Sequence, residues 1–369
     1  MKVVLVGHPF SPIGMGEQLV SLSAALSSCY FQHQIFDVFP SLQNVNESER
    51  DWIKPIVTKD INDADIRIFN INGDEVDDVI SQLNKNGLDW NRAINIIMPA
   101  WELSNYPVEW QEKLAIFDEI WAISNFVKEC MSKFFDGPVR HIGQSCERRK
   151  GAIYSRKYFG LSDSAYTILG FFDESSYFTR KNPDALVKVL NRLEEEIPDE
   201  DFQIVIKTKN FNKESSFSTK SHPKLKQISG NLSYDEITSL IAATDTFVSL
   251  HRSEGLGRGG AEAALLGKTS VITGYSGVAD YLHHPLVYPV KYKLVECKDG
   301  DYPHCKGQSW AEPDIEHAVS ILIDLIKGPY VKESDGQLGL ENITNLGVGF
   351  KAISAITEIA ETKTCGETH

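Results

Sequence analysis

Short β-branched runs alternate along this chain with stretches whose apolar residues recur at helical spacing. That alternation predicts parallel sheets covered by helices on both faces. In the first half, Val3–Gly7, Gln34–Val38, Ile66–Asn72, Ile94–Pro99, Glu119–Ile123 and Val139–Ile142 read as strands. Helical stretches around Gln18–Ser27, Glu75–Lys85, Val108–Phe117 and Phe126–Phe135 fall between them. The alternation stops in Gln144–Lys157, a polar and basic stretch without periodicity that reads as a linker. It then restarts. Tyr166–Phe172, Phe202–Lys207, Leu225–Ile228, Thr246–Leu250, Ser270–Thr273 and Leu286–Pro289 read as strands, with helices at Pro183–Leu193, Tyr234–Ala243, Gly260–Leu266 and Ile315–Ile326. A last amphipathic stretch, Phe350–Ala360, follows.

The length of 369 residues suits two domains, because single hydrophobic cores stop growing at roughly 250–300 residues. The expected division is 1–145, 158–345, and a C-terminal helix in 346–369 that, by analogy with two-domain enzymes of this architecture, crosses back to the first domain. Hydrophobic content of 42% and charged content of 24% are ordinary for a folded chain, so disorder is expected only near the tail Glu361–His369. Lys and Arg number 37 against 51 Asp and Glu, a net charge of −14, which disfavours nucleic acid as a partner. No apolar run reaches the ~20 residues needed to span a bilayer, and Met1–Pro9 is too quickly broken to be a signal peptide. A cytoplasmic location is expected. The six cysteines contain no CxxC pair, and Cys297, His304 and Cys305 lack a fourth ligand and the paired spacing of a zinc site. Reduced thiols and no structural metal are therefore expected.

Candidate chemistry concentrates in Ser249–Gly267, SLHRSEGLGRGGAEAALLG, which reads as strand, glycine-rich turn and helix. Glycines let backbone approach a ligand closely, and the free N–H groups and positive dipole end of a helix suit a phosphate oxygen. Glu254 and Glu262, eight positions apart, add acceptors of the kind that suit vicinal hydroxyls. On spacing alone, a purely structural strand-to-helix turn remains open. Gly14-Met15-Gly16 follows the first strand and precedes a helix, but the loop from Gly7 is long, the third glycine of a dinucleotide fingerprint is absent, and an acidic residue closing the next strand is not cleanly placed. Trp101-Glu102 closes the strand Ile94–Pro99 at its carboxyl end, where open α/β sheets place ligands. An aromatic beside a carboxylate suits a sugar acceptor, while packing by Trp101 and turn capping by Glu102 fit equally well. His8 is a candidate for the same cleft, and His251 and Arg252 read as supports behind the site.

The segment resembles the Glu-x7-Glu signature of retaining glycosyltransferases of the GT-B fold, particularly the large family four. Ser175–Pro183, Val205–Lys209, Gly274–Gly277 and Gly307–Asp314 look like blocks of bacterial polysaccharide mannosyl- and related hexosyltransferases. Trp101-Glu102, Pro107, Trp110 and Asp118–Ser124 look like that group's first-domain blocks. The resemblance implies two Rossmann-like domains facing each other across a cleft. It implies transfer of a hexose, with retention, from a GDP- or UDP-linked donor to a glycan, a glycolipid or another hydroxyl acceptor, in surface polysaccharide or glycoconjugate synthesis. Neither a cofactor nor a bound metal is implied, and contact with the inner face of the membrane would come through the acceptor.

Carried over residue by residue, Glu254 contacts the donor sugar, the amides of Gly255, Leu256 and Gly257 lie near sugar and phosphates, and Glu262 holds the ribose. Arg180 and Lys181, with Lys207, neutralise the diphosphate, Gly14 and Gly16 face it from the first domain, and Glu102 serves the acceptor. Two departures stand out. Ser176 occupies the position where many members carry an arginine, five residues before Lys181, leaving Arg180 to supply that charge, and Arg258-Gly259-Gly260 replaces the usual apolar or proline-containing residues. The same scaffold also serves sugar-nucleotide epimerases, phosphorylases and non-catalytic nucleotide-sugar-binding subunits, so these readings stay open on sequence.

Overall fold

The β-branched runs form two parallel six-stranded sheets, one in each of two compact units: Met1–Glu147 with Glu341–His369, and Arg148–Leu340. The computed structural model describes residues 1–11, 13–40, 47–147, 151–173, 176–209, 222–328 and 340–366. Ser175, residues 148–150 of the expected linker and tail residues 367–369 lie outside the described residues.

In the first unit the strands are β1 (Val3–Gly7), β2 (Gln34–Asp37), β3 (Ile66–Asn70), β4 (Ile94–Ile97), β5 (Glu119–Ala122) and β6 (Val139–His141), in the order β2-β1-β3-β4-β5-β6. Every residue of β1 and β3 is buried, as near-continuous apolar runs between two helical layers should be. Arg67 inside β3 is the exception to apolar filling. Its guanidinium donates to the carbonyls of Ile61, Trp90 and Asp89 and to Asn95 Oδ1, which satisfies the buried charge. Several strands end before their expected limits, because residues at the carboxyl edge leave the ladder. Asn72 gives its N–H to Glu75 Oε2 at 2.8 Å, and its Oδ1 accepts the Ala100 N–H at 3.0 Å. The helices of this part are α1 (Gly14–Ser28), α2 (Val76–Lys85), α3 (Val108–Leu114) and α4 (Asn125–Met131).

The second unit contains β7 (Tyr166–Asp173), α5 (Phe178–Lys181), α6 (Pro183–Glu196), β8 (Phe202–Lys209), β9 (Leu225–Ser229), α7 (Tyr234–Ala242), β10 (Thr246–Ser249), α8 (Arg258–Leu265), β11 (Thr269–Thr273) and β12 (Val287–Val290). An antiparallel ribbon of β13 (Tyr292–Glu296) and β14 (Ser309–Pro313) follows, then α9 (Ile315–Lys327). The strand order is β12-β11-β10-β7-β8-β9, so the chain leaves β7 in one direction for β8 and β9 and returns on its other side for β10. Ile168, Val189, Leu193, Phe202, Ile204, Val248, Val271 and Leu322 form the core between sheet and helices.

Helix α10 (Asn345–Gly366) belongs to the first unit and packs on α1. A Cβ at Gly349 would lie 2.5 Å from the Ala25 carbonyl oxygen, so glycine there permits the close approach of the two helices. The helix continues to Gly366, past the start of the tail expected to be disordered, because buried Ile356 and Ile359 anchor its later turns. Among the described residues, no helix is long and apolar enough to cross a membrane.

Candidate functional site

Open parallel sheets leave a crevice where the strand order reverses, because the loops leaving the two adjacent strands run to opposite sides. In the second unit that point lies between β7 and β10. The loop after β7 leads into α5, and the segment after β10 runs through His251–Gly257 into α8. Backbone bonds join the two: Arg252 N–H donates to the Arg180 carbonyl at 2.8 Å. Asn182, with φ of 53° in the left-handed region, ends α5 and donates its Nδ2 to the Leu250 carbonyl at 2.9 Å. Asparagine tolerates that backbone better than most residues.

This junction brings Arg180, Lys181 and Glu254 together. Lys181 Nζ donates to Glu254 Oε1 at 2.6 Å, and Arg180 Nη1 donates to Glu254 Oε2 at 3.2 Å and to the Ser253 carbonyl at 2.9 Å. Glu254 and Arg180 are buried, whereas the Lys181 side chain remains 25% exposed. Burial by itself would raise the Glu254 pKa. The charges of Lys181 and Arg180 overcome that effect and hold it at about 2. His251 behind them is wholly buried, with its Nδ1 3.0 Å from Ser249 Oγ, and burial lowers its pKa to about 4. It is neutral at pH 7.

A third loop, after β11, fixes the backbone of Glu254. Ser276 Oγ accepts the Glu254 N–H at 2.8 Å, and Gly277 N–H donates to the Glu254 carbonyl at 3.0 Å. A Cβ at Gly277 would fall 1.9 Å from the Gly255 carbonyl oxygen, so no larger residue fits this contact. Gly257, at φ 81°, begins α8, and its carbonyl accepts Tyr281 Oη at 2.6 Å. No side chain caps that helix start, which leaves the turn Gly255–Gly257 with the geometry that accepts an anion. Glu262 lies in α8, buried, with Arg258 Nη2 3.0 Å from its Oε1. Lys207 sits within β8, level with Phe171 of β7, and is not among the groups bonded to Glu254.

The first-unit candidates are arranged differently from the sequence expectation. Gly14 and Gly16 lie in the first turn of α1 instead of a loop before it. Gly16 is required by packing: a Cβ there would lie 2.3 Å from the Ser11 carbonyl oxygen and 2.7 Å from that of His8. Trp101 offers no open face for a sugar. It is buried against Tyr106 and Trp110 at ring separations of 5.5 and 5.6 Å, and its Nε1 donates to the Asn105 carbonyl. Glu102 beside it is half-buried. His8 is buried, stacked on Phe39, with its Nε2 2.5 Å from Glu75 Oε1.

Ser276 and Tyr281 were given no role on sequence. The block Gly274–Gly277 carried a family likeness, but only the β10 and β11 pairing shows that it clamps Glu254. Arg252 bonds protein partners through its Nε, its Nη1 and its backbone.

No protein-family model matches the chain, and no curated protein matches it in sequence. Solved structures match in fold. A glycosyltransferase from Rickettsia africae superposes with a TM-score of 0.66 at 14% identity, over 97% of this chain and 98% of that one. The lipopolysaccharide outer core galactosyltransferase WaaB gives 0.62 at 14% identity, over 97% and 99%. A trehalose-6-phosphate protein from E. coli bound with UDP-2-fluoro glucose gives 0.61 at 10% identity, over 97% and 98%. At these identities the likeness is one of fold, and the chain has the GT-B fold of two Rossmann-like domains.

Proposed function

We propose that this chain is a retaining glycosyltransferase that moves a hexose from a nucleoside-diphosphate sugar to a hydroxyl acceptor, without a metal ion or cofactor. The observation that carries the reading is the Glu254 carboxylate gripped by Arg180 and Lys181 beside a glycine-rich helix start, at the strand-order reversal of the second sheet. A neighbour in fold is bound with a UDP-sugar analogue, which supports a donor of that class.

The geometry suggests a division of labour. Glu254 stays ionised at every working pH, so it neither gives nor takes a proton. It acts as a fixed acceptor for sugar hydroxyls, while Lys181, the more open cation, turns toward the diphosphate. Two side-chain cations and the start of α8 supply the positive field that a departing nucleoside diphosphate needs as it gains charge, the task that a metal ion performs elsewhere. The donor's own phosphate oxygen takes the proton of the incoming hydroxyl, so the protein contributes orientation and electrostatics. Glu262, buried in α8 and bonded by Arg258, holds the ribose. Gly14 and Gly16, Lys207 and Glu102 complete the donor and acceptor assignments in this reading. A glycan or glycolipid acceptor, in surface polysaccharide or glycoconjugate synthesis at the cytoplasmic face of a membrane, fits the same chemistry.

A thermal-shift screen with GDP, UDP and their sugar conjugates tests the site, because a ligand that binds only the folded state raises its melting temperature. One nucleotide series is expected to shift the wild type. Glu262→Ala weakens that shift, whereas Glu254→Ala depresses turnover more than nucleotide affinity. Lys181→Ala costs roughly 1.5–3 kcal/mol of diphosphate affinity, the worth of one charge-assisted bond. No shift with any nucleotide, or full activity in both glutamate variants, would end the assignment.

A further inference from the structure

Helix α5, which carries both cations, cannot hold its own orientation. It has four residues, no side-chain cap at its start, and positive φ on both sides, 62° at Tyr177 and 53° at Asn182. One hydrogen-bonded turn is not stable alone, and left-handed non-glycine residues persist only where surrounding structure imposes them. Arg252 supplies much of that imposition. Its Nη1 donates to the Thr179 carbonyl at 2.5 Å, and its backbone N–H donates to the Arg180 carbonyl at 2.8 Å. On its other side, Arg252 Nε donates to Glu312 Oε2 at 2.7 Å, its carbonyl accepts the Ala311 N–H at 3.0 Å, and its guanidinium lies 5.8 Å from the Trp310 ring centre. Those last three residues belong to β14. The loop joining β13 to β14 also returns to α5: Tyr302 places its ring 5.6 Å from the Arg180 guanidinium and edge-on to Tyr177 at 4.8 Å.

We propose that Arg252, paired with Glu312, is a positioning residue that uses the β13–β14 ribbon as a brace for α5 and so sets where Arg180 and Lys181 stand relative to Glu254. The guanidinium suits this role because its rigid planar fork fixes the directions of its bonds to a carboxylate and a carbonyl, whereas a lysine's ammonium on a flexible stem sets no such directions.

The test compares wild type with Arg252→Gln, Glu312→Gln and the double variant, and uses Arg192→Gln as a control. Arg192, eleven positions beyond Lys181 in the later turns of α6, bonds Glu195, Glu196 and Glu316 in an exposed cluster that contains neither Arg252 nor Glu312. The first readout needs no ligand: the Glu254 carboxyl is titrated by 13C NMR. Both brace variants are expected to raise its midpoint by a unit or more from about 2, and the control leaves it in place. A folded Arg252→Gln protein with the wild-type midpoint overturns the proposal.

The second readout rests on the reading of this site as a diphosphate site. UDP and GDP affinity is expected to fall about tenfold or more in each brace variant while affinity for the bare nucleoside holds, and the double variant is no weaker than the singles because both remove the same contact. An equal loss for nucleoside and diphosphate means only general destabilisation and also overturns the proposal. Failure of wild type to bind any nucleoside diphosphate defeats the site reading by itself, and the carboxyl midpoint still decides the role of Arg252.

Discussion

The carboxyl of Glu254 is buried beside two cations, and the balance of those effects fixes how it responds to acid. Its pKa of about 2 lies below the ordinary 4.5. A lowered folded-state pKa stabilises the protein fully above the unfolded value, and that stabilisation is lost as pH falls toward the folded one. The contribution is about 3 kcal/mol near neutrality, with under half left at about pH 3. His251 adds a separate loss at milder acidity: its pKa is lowered from 6.5 to about 4, so the unfolded chain takes up that proton first, over the window between those values. Urea unfolding of wild type and Glu254→Gln from pH 6 to pH 3 is expected to show a stability gap that narrows below pH 4.5. A gap of constant width would mean that Arg180 and Lys181 do not grip the carboxyl. The types of these three residues were legible in the sequence, but their mutual pairing was not. Arg180 and Glu254 are 74 positions apart, and only the adjacency of β7 and β10 makes them neighbours.

Among the elements, the start of α1 separates two glycines that look alike in sequence. Gly16 has no room for a methyl group, while a Cβ at Gly14 meets nothing within 4 Å. Gly16→Ala is therefore expected to cost about 1–3 kcal/mol through overpacking. Gly14→Ala is expected to leave the melting temperature unlowered, and a loss in Gly14→Ala as large as that in Gly16→Ala would overturn this distinction. The inner strands β1, β3 and β11 were legible because apolar runs buried on both faces have little alternative. The ribbon and α5 were not legible, for opposite reasons. Most of β13 is exposed and shows no inside-outside alternation, and α5 is too short to display a helical period. The partners of Arg252 lie on the better-buried strand of that ribbon, β14, so an element without a clear pattern supports the most constrained one.

For the molecule as a whole, the two sheets differ in strand order. The first reverses between β1 and β3 and the second between β7 and β10, and each unit has its own core. Damage to one core should stay within its unit. Ile356 of α10 is fully buried, and Ile356→Ala is expected to cost about 2–5 kcal/mol in the first unit. Hydrogen exchange should then quicken in α1 and β1 and remain as in wild type in β7 and β10. Equal acceleration in both sheets would show that the units unfold as one.

Helix α10 closes the first unit although nearly two hundred residues of the second lie between it and β6. On the ribosome, the face of α1 that receives Gly349 of α10 must wait until the whole intervening unit has been synthesised. The nascent chain thus passes through a stage with one complete sheet assembly and one unfinished one, and the uncovered face of α1 is where a chaperone would be needed or premature association would begin.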